Sequence, residues 1–252
     1  MNNKNLFIFF LIFFNSFAFS NEFRKELLLS SYIKGVNLAN GIGLLKLSEN
    51  KYNFLLNSNT VGIFSFMFDW KQETYVLSEI KNQQLVSKEY KSKDERKNKK
   101  GHMHLLFSDG IPKIISAQPH PKDDERRLIL NKNVLKNTND PVTAIINIGF
   151  KNECKKISKI FDGKRRYTII TKNLGNDIIK KNDFFDADME VIKCLFDIEK
   201  IAGYTAKEIK KYPTKGIIWI KKYKDINIYL PAKIEILTNW GSFICLIKER
   251  KK

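Results

Sequence analysis

Phe161-Asp162-Gly163-Lys164-Arg165-Arg166-Tyr167-Thr168-Ile169-Ile170 is the stretch on which the reading of the fold turns. Gly163 takes positive φ at no steric cost and Asp162 can bond back to the backbone, so the pair reads as a turn. Ile157 to Phe161 before it and Tyr167 to Thr171 after it have the composition of strands, and the whole predicts a β-hairpin. Its tip carries Lys164, Arg165 and Arg166 beside Tyr167, a set suited either to meeting an anion or to pinning the hairpin into a sheet.

The hairpin lies between Cys154 and Cys194, and the N-terminus bears on whether these can pair. Lys4 precedes an uncharged apolar run from Leu6 to Phe14, and Ala18-Phe19-Ser20 has the small-x-small form of a cleavage site. Residues 1–20 therefore read as a secretory signal peptide, cleaved near Ser20 and too short for an ordinary membrane span. With no cysteine near the cut, a lipid-anchored N-terminus is not expected, and no later stretch has the length and apolarity of a transmembrane segment. The expectation is one exported β-rich domain over residues 21–252. Export permits a disulfide between Cys154 and Cys194. Cys245 is left over in the apolar strand Phe243 to Ile247, where a buried inert thiol competes with a catalytic or dimer-bridging role.

Outward from the hairpin, strand follows strand. Tyr32 to Leu38, Ile42 to Leu47 and Tyr52 to Leu56 are short alternating runs, divided by Ala39-Asn40-Gly41 and Ser48-Glu49-Asn50 read as turns. In Val61 to Trp70, two-residue alternation places Phe64, Phe66, Phe68 and Trp70 on one strand face, as core or as the lining of a lipid-sized cavity. Glu73 to Ile80, Gln84 to Lys91 and Gly101 to Phe107 continue the meander, with the charged Lys88 to Lys100 as a solvated hairpin end. The proline-punctuated residues 117–127 are the candidate internal boundary. Asn139 to Gly149 is a short apolar helix, capped by Asp140 or Asn139, with Pro141 at its first position. Gly216 to Lys221, Ile226 to Leu237 and Phe243 to Lys248 are the last strands, and Pro231 bends the long one or puts it at an edge.

Chemistry is signalled chiefly by what is missing. There is no GxSxG elbow, phosphate-binding glycine loop or HExxH, so no catalytic residue is named and no cofactor expected. His102 and His104 share a strand face but have no cysteine cluster beside them, and no metal site is assigned. The formal charge is +18, yet lysine is spread with Asn and Ile along the whole chain, which favours solvated surface over a dedicated anion site. Export argues against nucleic acid as a partner.

The order of features resembles a known family. Tyr32/Gly35, Asp140-Pro141, Cys154, Phe161 to Tyr167, Cys194, Ala202-Gly203-Tyr204, Trp219 and Leu230-Pro231 match, in that order, the exported proteobacterial domain-of-unknown-function family numbered 3108. Lys164 stands where that family commonly shows another arginine. The resemblance implies a periplasmic, mostly antiparallel β protein and supplies no activity.

The fold expected is mainly β: a strongly bent antiparallel sheet or incomplete β-barrel with one short apolar helix packed against it. The expected function is non-enzymatic binding of a lipid or acylated ligand. Phe64, Phe66, Phe68 and Trp70 would line the cavity, and Lys164, Arg165 and Arg166 with Tyr167 would meet an anionic head group. The alternative is a structural or protein-partner-binding envelope module, in which the arginines only knit the hairpin.

Overall fold

The computed structural model describes residues 22–250 apart from 98, 128–129, 151–153, 155, 225 and 239–240. The stretch expected to be a signal peptide, with its cleavage site, lies outside the described residues. A first meander comprises β1 (Phe23–Ile33), β2 (Val36–Leu47), β3 (Lys51–Thr60), β4 (Trp70–Lys81), β5 (Gln84–Arg96), β6 (Lys99–Ser108) and β7 (Ile111–Gln118). A second comprises β8 (Ile157–Phe161), β9 (Arg166–Ile179), β10 (Met189–Ala202), β11 (Lys215–Tyr223), β12 (Ile228–Thr238) and β13 (Gly241–Glu249). Three short helices interrupt them: α1 (Ile63–Phe68), α2 (Pro141–Gly149) and α3 (Ala206–Lys211).

The two meanders fuse where the first strand meets the last, β1 pairing with β13 from Leu27 opposite Glu249 to Ile33 opposite Phe243. This makes one antiparallel sheet of 13 strands with β7 and β8 as its edges. The sheet curls into a nearly closed barrel whose seam is stitched by the connection after β7. Thr138 N–H bonds the Gly110 carbonyl at 3.1 Å in the β6–β7 turn, and Asn139 N–H bonds the Lys159 carbonyl of β8 at 2.9 Å. The expected incomplete barrel is therefore present, and strands from both sides of residues 117–127 share its one sheet.

Side chains alternate inward and outward along each strand, so cross-strand partners form rings around the interior. One such row, Leu45–Phe54–Val76–Tyr90–Leu105, is buried throughout and forms the main core. Helix α2 fills the interior beside it. Asp140 caps the helix as expected, its Oδ1 accepting from the N–H groups of Val142 at 2.9 Å and Thr143 at 3.0 Å. Its other oxygen accepts from the hydroxyls of Ser87 at 2.6 Å and Thr143 at 2.5 Å. The Asn147 side chain accepts from Leu85 N–H at 2.8 Å and donates to Leu85 C=O at 2.7 Å, mending a backbone pair of β5. A second core cluster contains the Cys154–Cys194 disulfide, with Cα atoms 5.6 Å apart, and ties the chain after α2 to β10.

Three local expectations need correction. Ala39-Asn40-Gly41 is not a turn but lies inside β2; the chain reverses instead at Lys34-Gly35, both with positive φ (49° and 79°), a pairing that suits a tight hairpin. Pro231 does not put its strand at an edge, since β12 lies between β11 and β13; the register shift opposite Trp219 and Ile220 agrees with the other half of the expectation, a bend. Phe64, Phe66 and Phe68 lie on no strand. Thr60 and Trp70 already end the β3–β4 ladder, where the Trp70 N–H donates to Thr60 Oγ1 at 3.1 Å. The residues between have no neighbouring edge to pair with, and Gly62 at φ 58° turns them into the six-residue helix α1.

Candidate ligand-binding site

Toward the α1 end of the barrel the inward rows change character. Beyond the apolar ring comes Gly43–Leu56–Thr74–Ser92–Met103, which keeps two large apolar residues, and then Gly41–Ser58–Gln72–Asp94–Gly101, in which only small and polar residues remain. A Cβ on Gly41 would lie 2.8 Å from Ser58 Oγ, so this wall tolerates nothing larger at that point. On the Gly41–Ser58–Gln72 side these rows border a chamber of about 520 Å³ at the mouth of the barrel, one of two cavities beside them. Leu29, Leu56, Ala39 and Phe243 supply apolar wall, Ser31, Ser58 and Thr60 supply hydroxyls, and Phe68, Trp70 and Arg96 form the lip. Cys245 also faces the chamber, and burial pushes its thiol up while a Ser31 hydrogen bond opposes the shift. That placement makes it a wall residue, with a thiol poorly suited to forming a nucleophilic thiolate.

The residues expected to line a cavity divide. Phe68 and Trp70 do so, whereas Phe66 is 88 % exposed and points away from the core, and Phe64 is half-buried in α1. The hairpin tip is elsewhere. Asp162 Oδ1 accepts from the N–H groups of Lys164 at 2.9 Å and Arg165 at 2.7 Å, which closes the expected turn. Arg165 pairs with Asp162 at 2.7 Å and its guanidinium lies 4.5 Å from the ring centroid of Tyr212. Arg166 is buried, donating to the Val134 carbonyl at 2.8 Å, to the Tyr167 carbonyl and to Thr168 Oγ1 at 3.1 Å. Tyr167 packs on the second core cluster. Only Lys164 faces a cleft, one of about 440 Å³ formed with the connection after β7. The two arginines thus fasten the hairpin, Arg166 to the connection after β7 and Arg165 against Tyr212, and Arg96 is a cation at the chamber lip.

An ion pair beside that cleft clamps the seam to the β10–β11 connection. Arg127 donates to both Glu208 oxygens at 2.8 and 2.9 Å, and Thr205 N–H donates to the same carboxylate at 2.9 Å, completing the capping box of α3. Partial burial alone would raise the Glu208 carboxyl, but the hydrogen bonds from Arg127 and Thr205 outweigh it and hold it below the usual carboxylate range. Its folded value lying below the unfolded one, the stabilisation is present above the ordinary glutamate pKa and fades as pH falls through the folded value. Glu208→Gln is expected to cost about 1 kcal/mol at neutral pH, and the gap to wild type should begin to narrow as pH falls below the ordinary glutamate range, as read from urea midpoints across pH.

Lys233 and Lys193 flank Trp219 on the outer face, the former 4.1 Å from the ring centroid, and Trp219 donates to Asp177 at 2.8 Å. His104 bonds Glu89 at 2.9 Å, and no cluster of three metal-ligating side chains occurs among the described residues. No described helix is long and apolar enough to cross a membrane.

Among curated proteins none matches the chain. Among solved structures, a beta-barrel-like protein of domain of unknown function DUF1849 from Brucella abortus aligns with 90 % of this chain and 97 % of its own, at a TM-score of 0.45 and 11 % identity. A family model spans residues 30–247, from the last third of β1 to the last residues of β13. The chain belongs to the family described as protein of unknown function, DUF3108.

Proposed function

We propose that the chain binds a lipid or another amphipathic ligand in the chamber at the barrel mouth, without transforming it. The observation that carries this reading is the chamber itself: about 520 Å³, walled largely by apolar groups, with Phe68, Trp70 and Arg96 at its lip. An acyl chain suits the wall, and Arg96, which holds Asp94 at 3.4 Å but keeps its guanidinium largely exposed where that of Arg165 is mostly covered, suits an anionic head group. The reading includes export to the periplasm, which the apolar run from Leu6 to Phe14 and the Cys154–Cys194 disulfide favour.

The test is to fill the chamber. Ser31→Phe adds a ring between Ala39 and Cys245, the cross-strand neighbours of Ser31. Native mass spectrometry on wild-type protein purified from cells without strong detergent is expected to show a lipid-sized adduct that Ser31→Phe abolishes while the circular dichroism spectrum is kept. Should the variant not fold, methanethiosulfonate labelling of Cys245 in wild-type protein, carried out at alkaline pH so that the raised thiol ionises, should slow when phosphatidylglycerol is added. A retained adduct in folded Ser31→Phe, or unprotected Cys245, overturns the reading.

A second reading, a structural or partner-binding envelope module, is favoured by the hairpin. Arg165 pairs with Asp162 and Arg166 with backbone carbonyls, so neither is free for a ligand head group. Bare protein mass together with unprotected Cys245 would favour this second reading.

A further inference from the structure

Helix α1 buries none of its residues. Ile63, Met67 and Phe68 are each more than half exposed, and Phe66 is 88 % exposed, on a helix of six residues. Apolar groups gathered so closely on a water-facing tip gain nothing for the fold and mark a contact surface. The tip stands among cations. Lys97 N–H bonds the Asp69 carbonyl at 3.0 Å, which sets the β5–β6 turn against the end of α1. That turn carries Arg96, paired with Asp94 at 3.4 Å, and Lys97 and Lys99, which have no ion pair among the described residues; Asp69 and Glu95 are the acidic groups beside them.

The geometry points to an anionic lipid bilayer as the partner of this end of the barrel, with α1 inserting its aromatic tip and the β5–β6 turn meeting the head groups. Apolar side chains on a short helix enter the interfacial layer, and flanking Lys and Arg are drawn to anionic lipid. A second copy of the chain fits less well, since apposing two α1 tips would bring two basic turns together. The chamber opens at this same end, Phe68 belonging both to the tip and to the lip. Docking here would therefore bring the mouth to the membrane, yet the inference rests on exposure and charge and does not require the chamber to take lipid.

The experiment is flotation with vesicles of phosphatidylcholine alone and of phosphatidylcholine with phosphatidylglycerol at three to one. It uses protein isolated from cells expressing the full chain, with the same N-terminus verified by mass in every variant. Wild type should float with the mixed vesicles and much less with the neutral ones. Phe66→Ser/Met67→Ser should weaken binding roughly tenfold or more. Lys97→Glu/Lys99→Glu should weaken it more than Lys51→Glu/Lys224→Glu, which makes the same charge change at the opposite end. Wild type that stays with the soluble fraction, undiminished binding by the apolar double variant, or equal losses from the two charge variants would overturn the inference. So would a dimer lost in Phe66→Ser/Met67→Ser without vesicle binding, which would assign the tip to a second copy. The lipid adduct is weighed on the same samples, so that failed docking with an intact adduct counts against docking alone.

Discussion

Asp140→Ala is expected to lower stability by about 4 kcal/mol, from the lost cap and from the buried donors left without an acceptor. Asp140 is fully buried and its carboxyl accepts four hydrogen bonds, two from the helix backbone and two from the hydroxyls of Ser87 and Thr143. Ser87 Oγ in turn accepts from the Asp140 N–H at 2.9 Å, so the residue joins α2 to β5 in both directions. Burial pushes the carboxyl up, against the pull of the hydroxyl and backbone donors. The neutral isostere should therefore be tolerated. Asp140→Asn keeps an oxygen for the helix and is expected to cost no more than about 1.5 kcal/mol. Urea unfolding of both variants checks the pair of values, and equal losses would show that charge, not the cap, holds the helix in the barrel.

Removing the disulfide is the other large effect. Cys154 and Cys194 are 40 residues apart and both buried, so opening the bridge returns to the unfolded chain the freedom of a long loop. Cys154→Ala/Cys194→Ala is expected to cost about 4 kcal/mol, with little change in the native circular dichroism spectrum. The loop includes β8, β9 and the hairpin turn, which makes it the segment most exposed to proteolysis in the variant. Alkylation of either cysteine in denatured, unreduced wild-type protein would contradict the bridge from which that value follows.

Much of this architecture could be read from local chemistry. Asp162-Gly163 makes its turn through its own side chain and a positive φ, and Asp140-Pro141 starts its helix through a cap and a preset φ. Neither depends on what lies across the barrel. The chamber, by contrast, was hidden by the same kind of reasoning. Ala39-Asn40-Gly41 looks like a turn because small residues favour turns, but here smallness makes room inside a curved wall. Alternation in Phe64 to Trp70 suggested a strand, and only the ladder ending at Thr60 and Trp70 shows that no partner edge remains. The basic triplet was legible as chemistry but not as placement. Asp162 is local to Arg165, but Val134, which accepts from Arg166, and Tyr212, which lies under Arg165, come from distant parts of the chain.

The fusion of the two meanders through β1 and β13 sets a schedule for the chain. Leu27 is paired with Glu249, a residue of the last strand of the second meander, so every other strand is made before this partner. Until then one edge of β1 must wait, and such distant pairing makes closure of the ring a slow, late step. A polypeptide made N-terminus first thus keeps the ring open until β13 has been made, and its unfinished edge is open to misassociation during the same interval.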